Sequence, residues 1–251
     1  MSVLITGAAS GLGAALTNIA IKRGHSVTGI DHDWTSLEKT HPENLLQIDA
    51  DLSDLKTLVG LSATISAQAP YKAAFHNAAV SASGRFEDIP AKAHQRLIDI
   101  NVTAPLLMTQ QLLQQGALER GSTFIFIASL SVQVGYPGAA SYAASKATIA
   151  NYAQSLRKAL RREGINVLVV YPGPMQTAQA ERHAPIGAKS ETRMDAKEAA
   201  DLIWEAVDKG KKELIPGATN RLFAIAGKLM PSALNSAMRK IIYEKLDGSV
   251  Y

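Results

Sequence analysis

The sequence has 251 residues, of which 47% are hydrophobic and 19% charged, and these proportions exclude disordered and fibrous proteins. There is no cysteine, which excludes disulfides, zinc–thiolate sites and thiol nucleophiles, and we predict no metal site. The formal net charge is +4, but the one dense basic cluster, RKALRREG at 157–164, has the pattern of a solvated helix end closed by Gly164. Because that cluster has no interleaved aromatic residues, we predict no nucleic-acid partner.

Seven apolar, β-rich segments follow one another along the chain, and helical periodicity fills most of the intervals between them. Strands that are almost continuously apolar and alternate with helices indicate a parallel sheet covered on both faces. We therefore predict an α/β fold: a doubly wound, Rossmann-type parallel sheet with helices on both faces, in a single domain spanning 1–251. The predicted strands are 2–6, 26–31, 45–49, 72–77, 122–128, 165–173 and 212–216.

The remaining segments are predicted from periodicity and capping signals. Long helices are predicted at about 90–115 and 140–162, and a further helix begins after an N-cap at Asp195. The charged segment at about 178–193 interrupts the pattern and is predicted to be a loop that closes over the substrate. The segment at about 218–246 is amphipathic, and we predict a C-terminal helical lid or subunit contact rather than a membrane-surface helix.

Neither a targeting segment nor a membrane span is predicted. The chain opens directly on an apolar strand, without a basic segment or a cleavage site, so we expect no signal peptide and a cytoplasmic protein. No stretch reaches the roughly 18 uncharged apolar residues that a membrane span needs.

The first predicted strand runs into a glycine-rich turn, TGAASGLG at 6–13, which opens the first helix. Glycines here let the chain turn tightly and let the backbone approach a diphosphate at the positive end of a helix. The spacing is G-x-x-x-G-x-G, which differs from the G-x-G-x-x-G dinucleotide fingerprint, and a turn of this kind can also be purely structural.

Asp31 follows at the end of the second predicted strand, eighteen residues after Gly13. A carboxylate at this point accepts hydrogen bonds from the adenosine ribose and repels a 2′-phosphate. No Arg or Lys lies in the glycine turn, and neither His32 nor Asp33 adds a fixed positive charge. We therefore predict that NAD is preferred over NADP.

Tyr142 and Lys146 stand four residues apart in SYAASKATIA, at the start of a predicted helix, where positions i and i+4 share one face. A free phenol, with a pKa near 10, is a poor base at neutral pH, and a cation one turn away favours the phenolate. The pair is therefore either an ordinary helix surface or a proton-transfer pair.

Pro105 lies inside LIDINVTAPLLMTQQLL, which has the pattern of a helix. Because proline has no N–H, the carbonyl four residues earlier, that of Asn101, loses its helical partner. If the helix continues through Pro105, this carbonyl is free to hold a water. The alternative is that Pro105 merely ends or bends the helix.

Taken in order, these motifs resemble the short-chain dehydrogenase/reductase family, in its compact one-domain branch, over nearly the whole chain from Ser2 to about Pro216. T-G-x-x-x-G-x-G matches at 6–13 and Tyr-x-x-x-Lys at 142–146. Further matches are Ser129 thirteen residues before Tyr142, Asn101, Asp51 followed by Leu52 after the third strand, and P-G-x-x-x-T at 172–177. The resemblance implies that Asp51 and Leu52 contact the adenine, and that Thr177, with the backbone of Met175, holds the nicotinamide carboxamide.

The resemblance implies a role for each matching residue. Tyr142 would be the acid/base, Lys146 would lower its pKa and hold the nicotinamide ribose, and Ser129 would hydrogen-bond the substrate oxygen. The Asn101 carbonyl would hold a water that links Lys146 to solvent, and Ser131 is the second choice for the serine. The implied catalytic residues are Asn101, Ser129, Tyr142 and Lys146. The implied cofactor residues are Thr6, Gly7, Ser10, Gly11, Leu12, Gly13, Asp31, Asp51, Leu52, Asn77, Ala78, Tyr142, Lys146, Pro172, Gly173, Met175 and Thr177.

One motif departs from the family pattern. N-N-A-G after the fourth strand reads HNAA at 76–79, so Asn77 and Ala78 match whereas His76 and Ala79 do not. We predict that His76 is a packing residue at the strand end rather than a catalyst. Ala79 implies a backbone conformation compatible with a Cβ, or a cofactor slightly farther from the turn.

The predicted function is that of an NAD(H)-dependent alcohol dehydrogenase or carbonyl reductase, which transfers hydride between a secondary alcohol or ketone and nicotinamide. The alternatives are an NADP-dependent ketoacyl-type reductase and a non-catalytic, dinucleotide-sensing regulatory protein. The small-molecule substrate would meet Ser131, Val134, Tyr136, Met175 and the 178–193 loop, a mixture that does not define one compound.

The resemblance also implies a homodimer or homotetramer, and a monomer that buries its helix faces internally is the alternative. The apolar faces that would meet in the dimer include Leu106, Leu107, Leu112, Leu113, Ile149, Tyr152 and Leu156.

Overall fold

The seven predicted strands form one parallel sheet in a computed structural model, which describes residues 1–37, 42–133, 136–184, 193–246 and 248–251. The strand order is β3-β2-β1-β4-β5-β6-β7. The strands are β1 (Ser2–Thr6), β2 (Ser26–Asp31), β3 (Leu45–Asp49), β4 (Tyr71–His76), β5 (Leu118–Ile127), β6 (Asn166–Val170) and β7 (Glu213–Leu214). The predicted fold class is therefore confirmed.

The helices occupy the intervals between the strands and extend to the C-terminal segment. They are α1 (Gly11–Lys22), α2 (Leu55–Ser66), α3 (Ala91–Ile98), α4 (Ala104–Gln114), α5 (Ala140–Ala159), α6 (Ala178–Arg182), α7 (Ala196–Asp208), α8 (Ala218–Leu229) and α9 (Pro231–Ile241). Asp195 caps α7 as predicted, because its carboxylate accepts hydrogen bonds from the N–H groups of Lys197 and Glu198. Among the described residues, no helix is both long and apolar enough to cross a membrane.

Apolar residues cover both faces of the sheet, which is why the strand sequences do not alternate with polar ones. Along β5, Phe124 and Phe126 pack into a core with α2, α4 and α5, whereas Ile125 and Ile127 pack into a second core with α1 and α7. Each face of the sheet buries its own set of side chains. The loops that carry the predicted site residues extend from the carboxyl-terminal edge of the sheet.

The predicted helix at about 90–115 is divided into three parts. α3 is followed by one turn of π-helix, Asp99–Thr103, and then by α4, with Pro105 in the first turn of α4. The helical path thus continues through Pro105, which lacks the N–H that would bond to the Asn101 carbonyl.

Two details of the long helices differ from prediction. α5 ends at Ala159 rather than near 162, because Leu160 to Gly164 form a turn in which Gly164 has φ of +71°. Of the residues predicted for a subunit face, Leu112 and Ile149 are buried inside the core, because they face the sheet. The other five, Leu106, Leu107, Leu113, Tyr152 and Leu156, are partly buried at its edge.

The strand order reverses between β1 and β4, and this reversal places the loops that follow these two strands side by side. Ligands of open α/β sheets bind in the crevice at such a point, outside the carboxyl ends of the strands. The glycine turn follows β1, and Asn77 and Ala78 follow β4. The predicted site residues therefore meet at the edge where a nucleotide is expected.

Candidate active site

The glycine turn is shaped by contacts that a side chain would prevent. Gly7 has φ of +65°, and a Cβ there would lie 2.9 Å from Ala78 Cα in the neighbouring loop. A Cβ on Gly13 would lie 1.7 Å from the Gly7 carbonyl oxygen, so the first turn of α1 packs directly on the loop backbone. The glycines are thus required by the fold itself, and they also leave the backbone open to a ligand.

Side chains from β1 and β4 hold this turn in place. The Thr6 hydroxyl accepts hydrogen bonds from the N–H groups of Asn77 and Ala78, at 3.0 and 3.1 Å. The Asn77 side chain donates to the carbonyls of Thr6 and Gly7, at 3.0 and 3.1 Å. Asn77 therefore fixes the position of the turn relative to the end of β4.

The N-terminus of α1 fits an anionic diphosphate. Ser10 stands at the N-cap but its side chain makes no capping hydrogen bond, and the first turn of α1 contains no acidic residue. The first N–H groups of the helix therefore keep their donor capacity and their partial positive charge, which is the pattern of a phosphate site. Leu12, the second residue of α1, is buried in the core.

Asp31 ends β2 beside this turn and is 8% exposed. One carboxylate oxygen accepts a hydrogen bond of 2.9 Å from the Ala9 N–H, and the other accepts one of 2.8 Å from the His32 N–H. The His32 ring lies 3.2 Å away. The carboxylate is therefore fixed between the turn and its own loop, at the edge where the adenosine ribose is predicted.

Asp51 and Leu52, the predicted adenine contacts, follow β3 in the next loop. The Asp51 carboxylate accepts hydrogen bonds from Ser53 and, at 3.0 Å, from Arg96. Burial would raise the pKa of Asp51, but the bonds from Ser53 and Arg96 outweigh that effect and lower it to about 2. Leu52 is buried and lines a cavity of about 10 Å³ with Thr6, His76 and Ala78.

Ser129 and Ser131 are joined by hydrogen bonds, and the Tyr142 hydroxyl lies near Ser129. Ser129 Oγ accepts hydrogen bonds from the N–H and the hydroxyl of Ser131, at 3.1 and 3.0 Å. A serine hydroxyl has two acceptor lone pairs and one proton. Because Ser131 occupies both lone pairs of Ser129, the Ser129 proton remains available for a further hydrogen bond. Ser129 is also close enough to the Tyr142 hydroxyl to lower the pKa of that phenol. Ser131, the second choice by spacing, thus supports Ser129.

Lys146 lies one helical turn beyond Tyr142 and is 3% exposed. Its Nζ donates a hydrogen bond of 2.8 Å to the Ile127 carbonyl and lies 5.8 Å from the centre of the Tyr142 ring. Burial lowers the pKa of Lys146 to about 8. The ammonium is therefore held by the end of β5 rather than by the phenol.

The protein alone raises the pKa of Tyr142, whereas the predicted lowering combined Lys146 with the positive charge of a bound nicotinamide. Burial raises this pKa, and Ser129 offsets only part of that rise. The predicted lowering by Lys146 does not occur in this arrangement because its ammonium is directed at the Ile127 carbonyl. The phenol is therefore protonated at neutral pH.

Asn101 lies in the π-helical turn and is 2% exposed. Its side chain pairs with the backbone of Val80, accepting from the N–H and donating to the carbonyl, both at 2.9 Å. It also donates a 3.0 Å hydrogen bond to the hydroxyl of Ser145, which in turn donates to the Tyr142 carbonyl. Asn101 thus ties the loop after β4 to the helix that carries Tyr142 and Lys146.

The segment after β6 reaches both the serine and the glycine turn. The Pro172 carbonyl accepts from the Leu130 N–H at 2.8 Å, and the Thr177 methyl faces Gly11. The Thr177 hydroxyl caps α6 by accepting from the Ala180 N–H. The packing of α8 also requires glycine at position 173, because a Cβ there would lie 2.4 Å from the Asn220 side chain. The motif alone did not show this requirement.

The predicted substrate loop is described only at its two ends, and Val134 and residues 185–192 lie outside the described residues. At one end, His183 shares a 2.8 Å hydrogen bond with Ser83. Ser83 lies in the loop after β4 and pairs with the backbone of Val250, so α6 is tied to that loop and to the C-terminal segment.

Sequence reasoning missed two groups beside the site and was correct about a third. Ser145 had a local signal, since it precedes Lys146 in the Tyr-x-x-x-Lys pattern, and Arg193 lies at the end of the predicted substrate loop, where nothing in the sequence singled it out. His76 is buried between strand residues, with Nε2 at 3.0 Å from Thr109 Oγ1 and its ring stacked on Phe126. These contacts agree with the predicted packing role of His76.

Known proteins resemble the chain over most of its length. A sequence model described as short chain dehydrogenase matches residues 1–185. The 1-deoxy-11-beta-hydroxypentalenate dehydrogenase of Streptomyces exfoliatus is 30% identical, over 88% of this chain and 84% of that protein.

Two solved structures share the fold and carry different cofactors. A short chain dehydrogenase from Burkholderia cenocepacia in complex with NADP has a TM-score of 0.78 and is 22% identical, covering 94% of this chain and 96% of that one. A 4-hydroxyisoleucine dehydrogenase complexed with NADH has a TM-score of 0.76 and is 18% identical, covering 85% and 96%.

Proposed function

The chain belongs to the short chain dehydrogenase family of oxidoreductases, which bind nicotinamide dinucleotides, and from this premise we propose that it transfers hydride between a secondary alcohol or ketone and NAD(H). The observation that carries the proposal is a group of three hydroxyls, with Ser131 bonded to Ser129 and Tyr142 close to Ser129, beside the buried Lys146. A polar group of this kind at a nucleotide-binding edge serves proton transfer to or from an oxygen.

Each residue of the group has a separate task in this proposal. Ser129 donates its proton as a hydrogen bond to the substrate oxygen and so stabilises the charge that develops there. Tyr142 gives a proton to that oxygen during reduction and takes one during oxidation. Bound nicotinamide supplies the carbon that gives or accepts the hydride. Lys146 places a cation near the phenol, and Asn101 positions the helix that bears both residues.

The raised pKa of Tyr142 has a consequence for the direction of the reaction. A protonated phenol is ready to donate, so carbonyl reduction proceeds at neutral pH. Alcohol oxidation requires the phenolate, so its rate rises with pH.

The residues that would hold the cofactor are the open N-terminus of α1 for the diphosphate, Asp31 for the adenosine ribose, and Asp51 with Leu52 for the adenine. The Asp31 carboxylate supports a preference for NAD over NADP, because it would repel a 2′-phosphate.

We further propose that the edges of α4 and α5 form a subunit interface, on the basis of their partly buried Leu106, Leu107, Tyr152 and Leu156.

The catalytic proposal is tested with Tyr142→Phe, which removes only the hydroxyl. We expect turnover of a secondary alcohol panel with NAD to fall by about 10²- to 10⁴-fold, because the proton acceptor is lost. The dissociation constant for NAD is expected to stay within about twofold, because the ring remains. Tyr171→Phe is the control, since that phenol is buried in the core beside Gln154. Undiminished turnover in Tyr142→Phe would contradict the mechanism.

The cofactor proposal is tested with Asp31→Ala and the control Asp33→Ala, which removes an exposed carboxylate two residues away. The ratio of the NADP to the NAD dissociation constant is expected to fall by about 10- to 100-fold in Asp31→Ala, as one charged hydrogen-bond acceptor is lost. Asp33→Ala should leave the ratio unchanged. If the protein without substitutions binds NADP as tightly as NAD, Asp31 does not select the cofactor.

A further inference from the structure

Arg193 carries a buried nitrogen that has no acceptor. Within the described part of the chain, its Nη1 is shielded from solvent and makes no hydrogen bond. An unpaired guanidinium N–H is costly inside a protein, because its hydration is lost and nothing replaces it. Most buried polar groups in native proteins are satisfied, so such an atom beside a proposed substrate site indicates that an acceptor arrives with a ligand.

The backbone of Arg193 is fixed at one wall of that site. Its carbonyl accepts a 3.0 Å hydrogen bond from the Gln176 side chain, and the next residue, Met194, pairs with Met175 in a parallel bridge. The Gln176 N–H also donates to the Met194 carbonyl at 2.9 Å. Arg193 therefore lies next to the segment that carries Met175 and Thr177, the residues predicted beside the nicotinamide.

The charge of the Arg193 guanidinium acts on a phenol of the proposed site. Its cation acts on the Tyr136 phenol, where it offsets part of the rise in pKa that burial causes. Tyr136 in turn lies close enough to Tyr142 to affect the pKa of that phenol. The charge of the guanidinium thus acts on Tyr136, which is predicted to meet the substrate, and Tyr136 in turn affects the pKa of Tyr142.

We propose that Arg193 binds a carboxylate of the substrate, so that the substrates are hydroxy or keto acids whose carboxylate is separated from the reacting carbon. The inference rests on the function proposed above and adds the substrate class. A carboxylate fits because the planar guanidinium offers parallel N–H donors that match its two oxygens. The cofactor diphosphate already has its own site at the N-terminus of α1.

The test uses the full-length protein and a series of (ω−1)-hydroxy carboxylic acids of increasing chain length, each paired with its uncharged primary amide. Binding of each compound to the complex with NADH is measured by calorimetry, and turnover of each is measured with NAD. The variants are Arg193→Gln and the control Arg182→Gln, which removes an exposed arginine of α6.

At the chain length that spans the site, the acid is expected to bind about 10- to 100-fold more tightly than its amide. Arg193→Gln is expected to remove this preference by weakening the binding of the acid alone. The affinities for the amide and for NADH should change by less than about twofold. Arg182→Gln keeps the preference.

The outcomes separate the two proposals. If acids show the preference that depends on Arg193 but none is oxidised, the substrate inference stands and the proposed function fails. If amides are oxidised as readily as acids and Arg193→Gln changes neither, the function stands and the inference is wrong. A loss of NADH affinity in Arg193→Gln would assign the guanidinium to the cofactor and would also overturn the inference.

Discussion

At the nucleotide end of the proposed site, the side chains of Thr6, Asn77 and Asp31 are bonded to backbone groups, whereas at the substrate end Arg193 holds a buried nitrogen without a partner among the described residues. The hydroxyls of Ser131, Ser129 and Tyr142 lie between these extremes, because they interact mainly with one another. The side chains of the nucleotide end are therefore paired on folding, which leaves backbone N–H groups of α1 for its ligand, while the substrate end keeps an unpaired side-chain group. Substitutions at the first end should cost stability, and those at the second should cost binding.

The largest effect is expected where the nucleotide end is packed backbone against backbone. Gly13→Ala places a methyl group 1.7 Å from the Gly7 oxygen, so α1 must move away from the turn. We expect a loss of about 3 kcal/mol or more in the free energy of unfolding, together with loss of NAD binding. Urea unfolding and calorimetry measure the two effects.

Gly60 is the matched control, because it also lies in a helix but a methyl group added to it would have no atom within 4 Å. Gly60→Ala should raise the free energy of unfolding by about 0.5–1 kcal/mol, as alanine favours the helix. Equal effects of the two substitutions would contradict the comparison between a packed nucleotide turn and an ordinary helix.

A smaller effect is expected at Asn101, which joins the loop after β4 to α5. Asn101→Ala leaves the N–H and carbonyl of Val80 without their partners and breaks the bond to Ser145. We expect a loss of about 2–3 kcal/mol in the free energy of unfolding, with reduced turnover. Asn151→Ala, at an exposed position of α5, should change stability little. An unchanged unfolding curve for Asn101→Ala would mean that Asn101 does not link the nucleotide end of the site to its substrate end.

The smallest effect is expected at His76, the last residue of β4, as a dependence of stability on pH. Burial lowers the pKa of His76 from 6.5 to about 3, so below pH 6.5 the unfolded chain binds a proton that the folded chain excludes. Stability from this residue is full above pH 6.5 and declines as the pH falls toward 3. Between pH 6.5 and 5 the expected loss is about 2 kcal/mol.

His76→Gln should remove this part of the acid sensitivity, whereas His32→Gln, at an exposed ring, should keep it. The measurement is urea unfolding at several pH values, followed by the fluorescence of the buried Trp204. A pH slope that is the same in His76→Gln and in the original protein would contradict the assignment.

The sheet and the motifs could be predicted because their signals are local. Each strand is an apolar run of a few residues, and the glycine turn and the Tyr-x-x-x-Lys spacing follow from backbone geometry over one or two turns. The observed strands lie within a few residues of those predicted, and only their ends differ, as at β6, which stops before Pro172. The helix at about 90–115 was predicted without its π-helical turn, because such a turn has no sequence pattern of its own.

The sequence by itself determined the α/β sheet, the order of its strands along the chain and the set of polar residues that follow them. Tertiary structure alone decided that the Lys146 ammonium bonds to Ile127, that the pKa of Tyr142 is raised, that Asn101 holds Val80, and that the charge of Arg193 acts on Tyr136. The physical reason is that hydrogen bonds, desolvation and electrostatic contacts depend on which distant segments pack together. Periodicity and spacing report only on neighbours along the chain.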